Sequence, residues 1–149
     1  MNNYTSLVDM LIRDEVNGSP QHERVLHIGD TPNYLIESAG FPELVLAIKA
    51  KVIGKAYFDH GIPTNMIKNL PEILGRPKCL FKSANQHQSD SVVVLTFESK
   101  QGSPIVVPIK KNVQIGRGQS FNVVTSIYGK DGPNPEKKWK DSGLLLWES

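Results

Sequence analysis

Around Lys78 the spacing of apolar residues changes from helical to alternating, and that switch limits what the chain can fold into. Before it, apolar residues recur at three- and four-residue steps, as in helices that bury one face. Leu7, Met10 and Leu11 do so within residues 4–14, ahead of a break at Asn17-Gly18-Ser19-Pro20. Asp30-Thr31-Pro32 puts a capping side chain before a proline, so a second helix starts there and stops at Gly40. The strongest signal runs from Glu43 to His60. Val45, Ile48, Val52, Ile53, Ala56 and Tyr57 form one stripe, Lys51, Lys55 and Asp59 step by fours along another, and Gly61 and Pro63 end the run. A shorter helix is expected over residues 65–74, interrupted near Pro71.

After the switch the pattern is that of strands. Lys78–Ser83 is one, and Ser91–Phe97, apolar on both faces, reads as central in a sheet. The turn Lys100-Gln101-Gly102-Ser103 joins it to a strand over Pro104–Lys110, where Pro108 points to an edge or a bulge. Gly116-Arg117-Gly118 is a loop, Phe121–Tyr128 a further strand, residues 129–142 a polar connection, and Leu144–Trp147 a short last strand. Helices followed by strands predict an α+β fold, with N-terminal helices packed on one face of a mostly antiparallel four- to five-stranded sheet.

At 149 residues one domain suffices, with residues 1–24 as an N-terminal helical extension. No apolar run is long enough to span a bilayer, and Met1-Asn2-Asn3-Tyr4 lacks the basic start of a signal peptide, so no membrane partner is expected. Cys79 is the only cysteine, which rules out an internal disulfide and fits a reducing compartment. His22, His27, His60 and His87 form no metal-binding motif, and neither a dinucleotide fingerprint nor a phosphate loop is present, so no metal and no cofactor are expected. A net charge of +2 neither demands nor forbids an anionic partner.

Strand alternation sorts the candidates. It puts Asn122, Ser126 and Tyr128 on one face of their strand, and their polar face can be placed with Lys82 and Lys110 of neighbouring strands. A solvated sheet face is the plain alternative. His60 closes the long helix, where unpaired carbonyls favour an imidazolium by about 0.3–1 kcal/mol. It can serve as a general acid or base, or merely cap the helix through those carbonyls. Lys55 can stabilise a charged phosphate, or pair with Asp59. Tyr128 can stack a base or bond a phosphate, and Ser126 can orient a phosphate or the histidine. Ser126 has no apparent carboxylate–histidine relay to make it a nucleophile.

The order of several short pieces goes further. These are Leu26-His27-Ile28-Gly29-Asp30-Thr31-Pro32, Gly40, Lys55 with His60-Gly61, Asn69-Leu70-Pro71-Glu72-Ile73-Leu74-Gly75-Arg76-Pro77, Phe81-Lys82-Ser83, and Asn122 with Ser126-Ile127-Tyr128-Gly129. Together, over residues 25–147, they resemble the C-terminal domain of phage MuF-type proteins, which looks like part of the barnase–EndoU–colicin–RelE-like (BECR) nuclease superfamily. The resemblance implies helices before a four-stranded antiparallel sheet and a metal-independent ribonuclease whose substrate hydroxyl is the nucleophile. It makes His60 the acid and base, Ser126 and Tyr128 the phosphate-orienting pair, and Lys55 a source of charge. Lys82, Lys110, Arg117 and Asn122 would bind the substrate. RNA, with tRNA as one candidate, is then the expected partner, together with a host target or a cognate immunity protein. The host cytosol or the virion is the expected location. MuF-type domains usually follow a capsid-associated region, so the chain reads as a free effector or an excised domain. The alternative is a non-catalytic phage binding protein or inhibitor of the same fold, gripping a host protein or nucleoprotein.

Overall fold

A computed structural model describes residues 3–84 and 90–149; His87 lies outside the described residues. In chain order the elements are α1 (Tyr4–Val16), β1 (Val25–Asp30), α2 (Asn33–Ala39), β2 (Val45–Lys49), α3 (Ala50–Gly54), a π turn (Lys55–Asp59), α4 (Thr64–Lys68) and α5 (Leu70–Gly75). Then come β3 (Cys79–Lys82), β4 (Ser91–Lys100), β5 (Ser103–Gln114), β6 (Ser120–Val124), β7 (Tyr128–Gly129), α6 (Pro135–Asp141) and β8 (Leu145–Glu148). Among the described residues this is an α+β protein with six α-helices and a mixed sheet ordered β1-β2-β6-β5-β4-β3-β8, β7 pairing with β5. No described helix is long and apolar enough to cross a membrane.

The eight-stranded sheet exceeds the expected four or five strands because β1 falls in a stretch given no element, β2 falls within the expected long helix, and the Phe121–Tyr128 strand divides into β6 and β7. The long helix expected over Glu43–His60 is instead a strand, one and a half turns of α-helix and a π turn. Val45-Leu46-Ala47-Ile48-Lys49 is buried on both faces of the sheet. Leu46 and Ile48 join the helix-side core, while Ala47 packs with Phe121 and Val123 on the other. A strand buried twice is apolar throughout, and periodicity cannot tell it from a buried helical segment. β2 pairs antiparallel with β1 and parallel with β6, so the sheet is not purely antiparallel.

Residues from α1–α5 fill one face of the sheet: Tyr4, Val8 and Leu11 of α1, Leu35 of α2, Ile53 of α3, Ile67 of α4 and Leu74 of α5 meet Leu26, Leu80, Val94 and Val107. Two phenols pin these helices. Tyr4 Oη donates to the Ile67 carbonyl and Tyr34 Oη to that of Leu74, each at 2.7 Å. The other face is not bare, as helices on one face only would require. α6 covers it, with Trp139 edge-on to Phe81 at 5.2 Å, over Cys79, Leu95 and Val106. α6 falls in the stretch read as a polar connection. Its signal is Asn134-Pro135-Glu136: the Asn134 side chain accepts from the Glu136 and Lys137 N–H groups, and Pro135 opens the helix.

β4 and β5 form the expected hairpin. Gln101 and Gly102 both have positive φ (51° and 83°), the conformation a two-residue turn needs to match strand twist. Pro108 lies at neither edge. It sits inside the sheet, between Val93 of β4 and the gap where β6 ends and β7 begins. Its carbonyl accepts from the Thr125 N–H on that side, so its missing N–H costs no ladder bond.

Candidate functional site

One extra residue at that gap decides which side chains meet. Ile109 faces Val124, yet Val106 faces Tyr128: β5 advances three residues while the facing chain advances four. A bulge of one residue swaps the faces of everything beyond it. Ile127 therefore joins Val124 in the helix-side core, and Tyr128 packs on the opposite face with Val106 and Phe81. The single polar face expected from alternation is divided. Asn122, level with Leu46 of β2, lies on the helix side; Tyr128 and Lys110 lie on the other. Lys82 pairs with Val92, and Val92 with Ile109, so it also belongs to the helix-side face, opposite Lys110.

Asn122 is not placed to touch a substrate. It is fully buried, and its side-chain amide donates to Thr31 Oγ1 (2.7 Å) and the Pro42 carbonyl (3.0 Å) and accepts from the Asn112 N–H (3.1 Å). It ties the α2 region to the bend of β5.

His60 does reach Tyr128. β7 has no second neighbour in the sheet order, so the π turn, packed on the helix side, can bring His60 around that open edge. The imidazole and phenol rings lie edge to face, centroids 6.0 Å apart. His60 Nδ1 is 2.9 Å from the Ile127 carbonyl. A carbonyl only accepts, so Nδ1 carries the proton and Nε2 is the basic nitrogen of the neutral ring. The histidine does not cap its own helix. Lys100 Nζ does so, donating to the His60 carbonyl at 2.7 Å. Gly61, at φ 63°, makes room for it: a Cβ there would stand 2.6 Å from that nitrogen.

His60, Tyr128 and Lys100 line a recess of about 410 Å³, with Asp59, Ser103 and Asp131 on its walls. Ser103 Oγ donates to Asp131 (2.8 Å). Burial raises the Tyr128 phenol above its ordinary value, which keeps it a hydroxyl donor at neutral pH. Tyr128 also lines a second, larger cavity of about 510 Å³ under α6, which holds Lys110.

The remaining candidates are scattered. Lys55 is exposed and Ser126, in the bulge, is half-buried; neither lines the recess. Lys82 is exposed. Arg117 follows the far end of β5, a strand of 12 residues that begins at the recess and spans roughly 35 Å. Sequence reasoning missed Lys100, hidden in an ordinary hairpin turn, and the carboxylates Asp59 and Asp131. Asp59 is the histidine's chain neighbour, but only the tertiary fold brings Lys100 and Asp131 to it.

Elsewhere, Cys79, Glu136 and Glu148 place donor atoms within 4.8 Å of one another, a grouping that could hold a metal. Lysines already occupy it. Lys78 and Lys140 lie 2.7 and 2.8 Å from Glu136, and Lys140 2.7 Å from Glu148. Hydrogen bonds from those lysines hold the Glu136 carboxyl below its ordinary value, and burial raises the Cys79 thiol. The cluster fastens α6 to β3 and β8.

A family model described as the phage MuF C-terminal domain matches residues 51–149. No curated protein and no solved structure matches the chain. The matched stretch runs from α3 to the C-terminus and includes the π turn, His60, Lys100 and Tyr128. With well over half of its length matched, the chain belongs to the phage MuF C-terminal domain family.

Proposed function

We propose that this phage-family protein cleaves RNA by metal-independent acid–base transesterification in the His60 recess. The observation that carries the reading is the tethered histidine. With Nδ1–H held by the Ile127 carbonyl, Nε2 is the proton acceptor, beside a phenol and an ammonium. In this reaction Nε2 takes the proton of a ribose 2′-hydroxyl as its oxygen attacks the adjacent phosphorus. The bond from phosphorus to the 5′-oxygen breaks, and His60 returns the proton to that oxygen. A cyclic phosphate and a 5′-hydroxyl result. Tyr128 donates to a non-bridging oxygen. Lys100, whose ammonium has N–H groups beyond the one given to His60, supplies the charge expected of Lys55. Fold-level kinship to BECR nucleases agrees with this reading and is part of the proposal.

One observation favours a second reading. Asp59 and Asp131 line the same recess and repel phosphate. A non-catalytic protein gripping a cationic group of a host protein would use them. A digest of total RNA and of tRNA in EDTA separates the two. Cleavage by the wild type, lost in His60→Ala with an unchanged circular dichroism spectrum, supports the nuclease. Undiminished cleavage by the variant, or none by the wild type, refutes it.

A further inference from the structure

We infer that the cavity under α6 is a track for a single strand of nucleic acid, with phosphates on Lys110, Lys130 and Lys138 and a base against Trp139. The inference takes its substrate class from the nuclease reading above. Its observations are separate.

The cavity has a volume of about 510 Å³, and all three lysines line it. Like charges gathered around one cavity repel unless neutralised. None of the three has a salt-bridge partner among the described residues. Lys137 and Lys140, on the same helix as Lys138, are both paired, with Asp141 and with Glu136 and Glu148. The one described carboxylate on the cavity wall is Asp90. An unmatched cluster of this kind suits a polyanion.

Trp139 supplies the second element. Its indole is half-buried, edge-on against Phe81, and lines the same cavity. An anchored ring beside lysines is the arrangement on which an unpaired base stacks in single-strand binders. A duplex keeps its bases paired and stacked inside, out of reach of the indole. Tyr128 lines both the cavity and the His60 recess. A strand lying along the lysines would therefore deliver its next phosphate to the phenol.

Single-stranded DNA tests the track apart from catalysis, because without a 2′-hydroxyl it cannot be cleaved by transesterification. Anisotropy of a labelled oligodeoxynucleotide of about 12 bases is titrated with wild type at several salt concentrations. Three phosphate contacts at about 0.7 each predict a log–log slope near −2, about 16-fold weaker binding at ~200 mM than at ~50 mM salt. The K110Q/K130Q/K138Q variant should lose that slope and bind at least about tenfold more weakly, while Lys137→Gln should match wild type. A wild-type slope near zero, unchanged binding by the triple variant, or equal competition by a duplex would overturn the inference. If the oligonucleotide binds as expected but RNA survives in EDTA, the track stands and the nuclease reading falls. If wild type and triple variant cleave RNA with the same KM, the track falls and the nuclease stands.

Discussion

Removing the buried amide of Asn122 tests the claim that this residue holds the fold together and binds nothing. Asn122→Ala deletes three hydrogen bonds, to Thr31 Oγ1, the Pro42 carbonyl and the Asn112 N–H. Each contributes about 1 kcal/mol net, so the expected loss is ~3 kcal/mol. For a chain of this length that lowers Tm by about 6–12 °C. Asn122→Asp is the sharper test. The carboxylate keeps an acceptor for Asn112 but turns the donating side into a second acceptor. Thr31 Oγ1 already donates to the Leu44 carbonyl at 2.5 Å, so it and the Pro42 carbonyl then face a negative oxygen at a fully buried site. Asp should therefore cost more than Ala, although it is closer in shape. Thermal and urea unfolding followed by circular dichroism read both. A shift below about 2 °C for Ala, or an Asp variant milder than Ala, would refute the reasoning.

Two further outcomes follow from the turn and the phenols. Gly61→Ala should cost about 1–2 kcal/mol for the left-handed backbone, plus whatever is needed to move Lys100 from the space a Cβ would fill. In a double-mutant cycle with Lys100→Met, urea unfolding should show less than the sum of the single effects; full additivity would separate Gly61 from Lys100. Burial raises the Tyr4 and Tyr34 phenols far above their ordinary value of about 10. Their folded state holds the proton longer than the unfolded one. Stability should thus be flat in this respect below about pH 10 and fall as pH rises beyond it. Tyr34→Phe should lower stability near neutrality by about 0.5–1.5 kcal/mol, for the lost bond to Leu74, and flatten the alkaline decline. An unchanged alkaline slope in chemical unfolding would contradict this.

The α+β class was readable because α1 buries one stripe at a helical period, whereas the apolar run in β4 is short, rich in valine and closed by the Lys100–Ser103 turn, which marks a strand even with both faces apolar. β2 escaped because both of its faces are covered, which erases the period. β1 does carry alternation, with Leu26 and Ile28 buried and His27 exposed, but over too few residues to stand out ahead of the helix start signal at Asp30-Thr31-Pro32. Of the site, His60 and Tyr128 were legible as residue types suited to phosphate chemistry, and the rings do meet.

The sequence by itself determined the class of the fold, the hairpin turn at Gln101-Gly102 and the histidine at a helical end just before Gly61. Only the tertiary structure decided which partners that histidine has. A single inserted residue between Val124 and Tyr128 reverses the faces of the strand, burying Asn122 among the helices and turning Tyr128 toward Lys110. Such a slip leaves composition and local pattern intact. It is fixed by pairing with β5, residues distant in sequence, where Pro108 has no N–H to give and the ladder can break without loss.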